Sequence, residues 1–167
     1  MDEFKIVPIG VVHTRAAPDD FRTYRGDRPS EIEIFEKFQD GLEGLQGFSH
    51  VYVLGYFDKL RPEQIGPLRV KPRRMLREGL TIDELPTLGV FALDSPTRPN
   101  PISLSLARLN KVEGRVLHVA DLDLFDGSPV IDIKPYHPQY GTTEFTRPEW
   151  HTRLHALIDE RKNQKRP

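Results

Sequence analysis

The sequence predicts an all-β fold, a barrel or a sandwich of about seven short strands, with one carboxy-terminal helix. Three observations carry that expectation. Short segments rich in β-branched and aromatic residues recur along the chain, separated by turn residues. Several alternate polar and apolar side chains, the period of a strand with one buried face. Only the end of the chain holds an apolar stripe at clear helical spacing. At 167 residues, with 37% hydrophobic and 29% charged side chains, the composition is that of one ordinary globular domain.

The elements follow in order. Phe4 to His13 (FKIVPIGVVH) reads as a first strand, with Pro8 marking an edge or a bulge. Glu31 to Phe35 (EIEIF) alternates, and His50 to Phe57 (HVYVLGYF) is a near-continuous apolar run of strand length. Between them, Glu36 to Leu45 has room for a short helix that GLEGLQG (Gly41 to Gly47) would break. Gly89 to Ala92 (GVFA), Ile102 to Asn110, Arg115 to Asp121 and Val130 to Pro135 complete the strands. In SLSLARL (Ser103 to Leu109), Leu104 and Leu106 alternate with small polar partners, and apolar positions alternate again from Arg115 to Phe125. After Arg147-Pro148, the residues Trp150, Leu154, Leu157 and Ile158 form one helical stripe, and the final KNQKRP is expected to fray.

Composition also excludes whole classes of chemistry. The chain has no cysteine, so disulfides and thiolate ligands are out. MDEFKIVPIG lacks the plan of a signal peptide, and no apolar run approaches the ~20 residues of a membrane helix, so a cytoplasmic protein is expected. A net charge of -1 argues against a wholesale nucleic-acid surface and allows a local one.

Four stretches carry polar residues that packing does not require. DSPTRPNPISLS (Asp94 to Ser105) has three prolines in twelve residues, too many for a central strand, and fixes Asp94, Ser95, Arg98 and Asn100 on stiff backbone. DLDLFDGS (Asp121 to Ser128) reads as a strand ending in an Asp-Gly turn, by itself a surface hairpin. In DIKPYHP (Asp132 to Pro138), Lys134 and Tyr136 alternate with apolar or proline neighbours, and a lone lysine there is ordinarily a solvated outer-face residue. RVKPRRMLR (Arg69 to Arg77) holds five basic residues in nine and no acid, namely Arg69, Lys71, Arg73, Arg74 and Arg77; it reads as a solvated loop or a phosphate-binding one. The phosphate loops GxGxxG and GxxxxGK[ST], the zincin HExxH and the nucleophile elbow GxSxG are all missing. His151 and His155 are four apart on the helix, yet Arg153 stands between them and no zincin-type carboxylate accompanies them, so no metal is expected.

GVFALDSPTRPNPISLS, followed by LDLFDGSPVIDIKPYHP, resembles the motif pair of the TsaA-like, or TrmO, family. IGVVHT (Ile9 to Thr14) and GLEGLQGFSHVYVL (Gly41 to Leu54) extend the likeness over about Ile6 to Pro138. The resemblance implies a compact antiparallel β-barrel over residues 1–140, with residues 141–167 as a helical tail packed on it. It implies an S-adenosylmethionine-dependent methyltransferase acting on threonylcarbamoyl-adenosine beside the tRNA anticodon, and a homodimer with cofactor sites near the subunit interface. The implied cofactor residues are Asp58 and Lys59 at a strand end, Asp94, Ser95, Arg98, Asn100 and Leu104 around RPNPI, and Asp123, Leu124, Phe125, Asp126, Gly127 and Ser128 in the turn. Backbone contact suits Gly127, where no Cβ obstructs. The basic run would then follow the RNA backbone.

Two departures from the family pattern stand out. The family loop reads ATRSP, with arginine where this chain has Asp94, and the family strand end carries His-Gln or His-Lys in place of Asp58-Lys59. Asp94 either caps its own proline turn or meets a different acceptor, whose amine it would hold or whose proton it would take. Methyl transfer needs alignment and sometimes a proton acceptor. The candidates are Asp94 and Asp126 as bases, with Lys134 or Tyr136 polarising the acceptor. The alternatives are a methyltransferase of the same fold acting on another RNA or a small molecule, and a non-catalytic barrel that binds RNA or a nucleoside.

Overall fold

The computed structural model describes residues 5–16 and 28–164; Phe4, at the expected start of the first strand, and residues 165–167 of the tail lie outside them. Eight strands occur in chain order: β1 (Gly10–His13), β2 (Pro29–Ile34), β3 (His50–Tyr56), β4 (Arg69–Val70), β5 (Leu88–Gly89), β6 (Ile102–Glu113), β7 (Val116–Ala120) and β8 (Pro129–Pro135). Six of them close into an antiparallel barrel in the order β1-β2-β7-β6-β3-β8. Closure leaves no unpaired edge in this sheet. β6 makes it possible at this small size, because it pairs with β3 from Ile102 to Arg108 and with β7 from Arg108 onward. The register shifts between Leu109 and Lys111, where the strand changes partner.

The alternation read in EIEIF is real: Ile32 and Ile34 are buried, and Glu31 and Glu33 face outward. On β6 the alternation runs opposite to the usual sense. Ser103, Ser105 and Ala107 are buried, whereas Leu104 is 68% exposed and Leu106 44% exposed. The cause lies beyond β7, where the chain sends Leu122 and Leu124 into the barrel core. A Cβ on Gly55 would overlap Leu124 Cδ1 and stand 2.9 Å from Ser103 Oγ. Small residues on β3 and β6 therefore leave the space that these two leucines fill. The inward serines are satisfied: Ser103 Oγ accepts from Gly55 N at 3.2 Å, and Ser105 Oγ from Asp123 N at 3.3 Å.

The barrel has two unlike outer faces. Across β1, β2 and β7 it is polar, with His13 and Arg115 both on Glu33, and His118 between Glu31 and Glu113. Across β6, β3 and β8 the rows read Leu104, Leu54, Asp132 and then Leu106, Tyr52, Lys134.

The chain divides into two compact units, one of the described residues up to Arg61 with Pro101–Tyr140, the other of Pro62–Asn100 with the described residues from Gly141. Besides the expected boundary at residue 140, the chain passes between the units after Arg61 and after Asn100, because residues 62–100 leave the barrel unit. In the second unit, helix α1 (Glu149–Gln164) buries Leu154 and Ile158 against Leu80 and Leu85, with Met75, Leu76, Trp150 and Leu157 around them. The expected stripe is the face that docks, and its partner is the 75–85 segment. Arg161 donates to Gly79 O and reaches Glu84 Oε1 at 2.5 Å. The GVFA strand is not formed as expected. Only Leu88 and Gly89 pair, with Val70 and Arg69, and Val90–Ala92 turns as a 3-10 helix. Glu36–Leu42 is likewise a 3-10 helix.

Candidate functional site

Beyond β7 the backbone turns at once: Asp121 takes a left-handed φ of 65° and Gly127 one of 76°. Leu122 and Leu124 anchor the segment from below, so Asp123, Phe125 and Asp126 point outward. Three further ties fix it. Gly127 N donates to Val12 O at 2.8 Å, Thr14 N donates to Asp126 Oδ1 at 3.0 Å, and Lys59 Nζ donates to Asp126 O. Lys59 also lies 5.9 Å from the centre of the Phe125 ring. The expected strand end and the expected turn therefore meet, with Lys59, Phe125, Asp126 and Gly127 at one spot. Ser128 is buried and Asp58 exposed. Thr14 is the residue that motif reading missed, although IGVVHT had been singled out as a segment.

The proline-dense stretch lies in the other unit as far as Asn100. Arg98 does there what the prolines alone do not. Its Nε donates to Ser95 O at 2.8 Å and its Nη2 to Val90 O at 3.3 Å and to Leu93 O. One guanidinium fork thus holds three carbonyls and shapes the corner from Val90 to Ser95. Ser95 Oγ caps the turn by accepting from Thr97 N at 3.2 Å. Asp94 is exposed and has no hydrogen bond to its own turn among the described residues. Asn100 is exposed as well.

Lys134 and Tyr136 sit at the far end of β8 from Asp126. Lys134 is six residue steps from Ser128, roughly 20 Å at a strand's rise of about 3.3 Å per residue. Lys134 is paired with Asp132 at 2.8 Å. That hydrogen bond and the Asp132 charge raise its pKa, so it keeps its proton and is suited to donating one hydrogen bond rather than acting as a base. Tyr136 lies 5.7 Å from Tyr52 and 6.4 Å from His50 in an aromatic row. Leu104 is on the outer face of β6, one row from them.

Of the basic run, Met75 and Leu76 face the helix, while Arg69, Arg73, Arg74 and Arg77 are exposed. Lys71 donates to Ile82 O at 2.8 Å. His151 and His155 are stacked at 4.2 Å, and no cluster of three ligand-type residues occurs among the described residues. A groove of about 620 Å³ beside the Glu36–Leu42 turn is lined by Ile9, Phe38, Leu45, Phe48 and Ile133, and holds none of the expected cofactor residues.

A small closed antiparallel barrel with a polar turn braced by Lys59 defines a class of protein quite unlike the parallel, doubly wound sheets that bind nucleotides through GxGxxG loops. Within that class, the chain belongs to the tRNA-methyltransferase O N-terminal domain family, whose model matches residues 13–142. It is 34% identical over 147 residues to a probable S-adenosyl-L-methionine-binding protein of Pyrococcus abyssi, covering 86% of this chain and 73% of that one. A probable S-adenosyl-L-methionine-binding protein of Methanothermobacter thermautotrophicus is 39% identical over 152 residues, 86% of this chain and 97% of that protein. The human tRNA (adenine(37)-N6)-methyltransferase is 39% identical over 111 residues, 66% of this chain but only 23% of the human protein. A crystal structure of TrmO superposes with a TM-score of 0.68 at 28% identity, over 89% of this chain and 64% of that one. No helix among the described residues is long and apolar enough to cross a membrane.

Proposed function

We propose that the protein transfers the methyl group of S-adenosylmethionine to the exocyclic N6 of threonylcarbamoyl-adenosine beside a tRNA anticodon, in the cytoplasm and as a homodimer. The observation that carries this reading is the meeting of Lys59 with the Phe125-Asp126-Gly127 turn in a chain of this family. The side chains there fit the cofactor. Lys59 is a cation for its carboxylate, Asp123 is an exposed acceptor for its ribose hydroxyls, and Phe125 offers a flat apolar face. When bound, the cofactor supplies an electrophilic methyl on a sulfonium. An acceptor nitrogen that takes this methyl would have to give up its proton, so the protein's part would be to align that nitrogen and to offer a proton acceptor. Asp126 is the proton acceptor at this turn in this reading, while Asp94, with Ser95, Arg98 and Asn100 on the stiff loop of the other unit, keeps its candidate role by family resemblance only. Leu104 fits the same pocket by family resemblance only.

The second copy is assigned to the face carrying Leu104, Leu106, Leu54 and Tyr52. On its β6 and β3 rows this face carries exposed leucines beside the single Lys134–Asp132 pair of β8, and exposed apolar area of this kind marks an interface. Lys134 and Tyr136 lie on it, so a role for them at the acceptor rests on their serving the partner's site. Leu104→Glu with Leu106→Glu should convert the dimer to a monomer in sedimentation, whereas Glu31→Gln on the other face should leave the mass unchanged.

The deciding measurement is transfer of labelled methyl from S-adenosylmethionine to purified tRNA that carries or lacks the threonylcarbamoyl group. Transfer to the carrying tRNA alone, falling as salt rises, supports the reading. Asp94, exposed and free of its own turn, favours a second reading in which the acceptor is another RNA or a small amine. Equal transfer to both tRNAs, or transfer only to such an acceptor, would establish that one instead. Absence of any cofactor binding in calorimetry would sink both.

A further inference from the structure

Three aromatic rings stand out for exposure: Phe91 at 82%, Phe145 at 64% and Tyr140 at 61%. Two of them are already engaged. Arg147 lies 5.0 Å from the centre of the Phe145 ring, and Tyr140 meets Tyr52 at 6.3 Å and His137 at 6.1 Å. Phe91 has no ring or cation partner among the described residues. Its backbone, by contrast, is tightly held. Val90 before it is buried and donates to Leu68 O at 3.0 Å. Arg98 holds the carbonyls of Val90 and Leu93 on either side of it. A bare phenyl ring on a fixed corner costs hydration without contributing to the core, unless something flat covers it in use.

The surroundings within the same unit say what that is. Leu68, bonded to Val90, is exposed, and Arg69 pairs with Gly89 on the adjoining ladder. Arg69, Arg73 and Arg74 are exposed and have no carboxylate partner among the described residues. An exposed ring beside Arg69, in a unit that also exposes Arg73 and Arg74, is a combination suited to single-stranded nucleic acid, through stacking on the ring and attraction of the phosphates. We infer that Phe91 is the stacking platform for an unpaired base of the RNA substrate. The inference rests on the tRNA reading above and adds a specificity-determining residue to it. The ring selects a splayed loop over a duplex, since only an unstacked base can lie on it.

The test measures binding of an anticodon stem-loop RNA by wild type, Phe91→Ala, Phe91→Leu and Phe91→Trp. Stacking predicts roughly tenfold weaker RNA binding for Phe91→Ala and Phe91→Leu, which keep or lose bulk but both lack a ring. Phe91→Trp should bind at least as well as wild type and show fluorescence quenching on RNA addition beyond that of Trp150. Cofactor affinity and sedimentation should be unchanged in all three. Unaltered RNA affinity in Phe91→Ala overturns the inference, as does a shift to monomer, which would make the ring a protein contact, or a loss confined to cofactor binding. If wild type neither binds nor methylates RNA, the functional reading falls with it. If wild type does both and Phe91→Ala matches it, only the platform is lost.

Discussion

The barrel unit and the second unit are held in shape by different means. In the barrel, the turn from Asp121 to Ser128 is tied to strands β1 and β6 and to Lys59 beyond β3, and is weighted by two buried leucines, so its position is the sum of many distant contacts. In the second unit, the corner from Val90 to Ser95 depends on one guanidinium only a few residues away, and the helix depends on a four-residue buried core with two charged bridges, Arg161–Glu84 and Lys162–Glu78. The difference teaches where each is vulnerable. Packing errors should damage the barrel globally, whereas loss of single polar groups should misplace parts of the second unit while the barrel stays folded.

Arg98→Ala is expected to give the largest effect on activity. It releases the carbonyls of Val90, Leu93 and Ser95, and a misplacement of about 1 Å can cost on the order of a hundredfold in rate. Arg98→Lys should not restore it, because an ammonium cannot hold three carbonyls in one plane. Methyl-transfer kinetics alongside thermal unfolding would check both; a variant that lost its fold in proportion would contradict the comparison. Gly55→Ala should sharpen it from the barrel side. The added methyl meets Leu124 Cδ1 and should destabilise the chain by about 1–3 kcal/mol, read as a lowered urea midpoint with unchanged slope.

The smallest expected effect is a loosening of the helix in mild acid. Burial, His155 and Arg147 hold the His151 pKa below its ordinary value, so its contribution is complete above about pH 6.5 and declines as pH falls through that value. Glu84, lowered to about 2 by the Thr81 backbone and the Arg161 and Thr81 side chains, adds stability present above about pH 4.5 and lost on the way down to 2. Both therefore weaken the second unit toward acid, modestly and less so in salt, because Glu84 is solvent-screened. Trp150, the one tryptophan, should report the change in fluorescence before the strand signal in circular dichroism moves.

Much of the barrel was legible because local pattern decided it. EIEIF has a definite inner and outer side, which the structure keeps, and HVYVLGYF has the apolar length of a strand, which it forms. β6 was not legible in the same way. Whether Leu104 or Ser103 turns inward depends on what else occupies the interior, and Leu122 and Leu124 arrive from a turn nearly twenty residues on. The site divided similarly. The family resemblance joined Lys59 to the Asp-Gly turn, and the two lie in contact; it also named Lys134 and Tyr136 for the acceptor, and these stand at the other end of β8. Arg98 was read as a donor waiting for a ligand, since its carbonyl partners are invisible in side-chain patterns. Phe91 was missed because GVFA looked like a buried strand, and in a 3-10 turn successive residues face different ways.

The second unit is written in two separated pieces of chain, and this sets a schedule. During synthesis the barrel strands through β8 emerge and can pair while Leu80 and Leu85 still lack the surface that covers them. Only when residues 149–164 follow does α1 close over that patch. For the length of that delay the nascent protein carries an uncovered apolar spot beside a run of arginines, the placement by which flanking charge opposes aggregation.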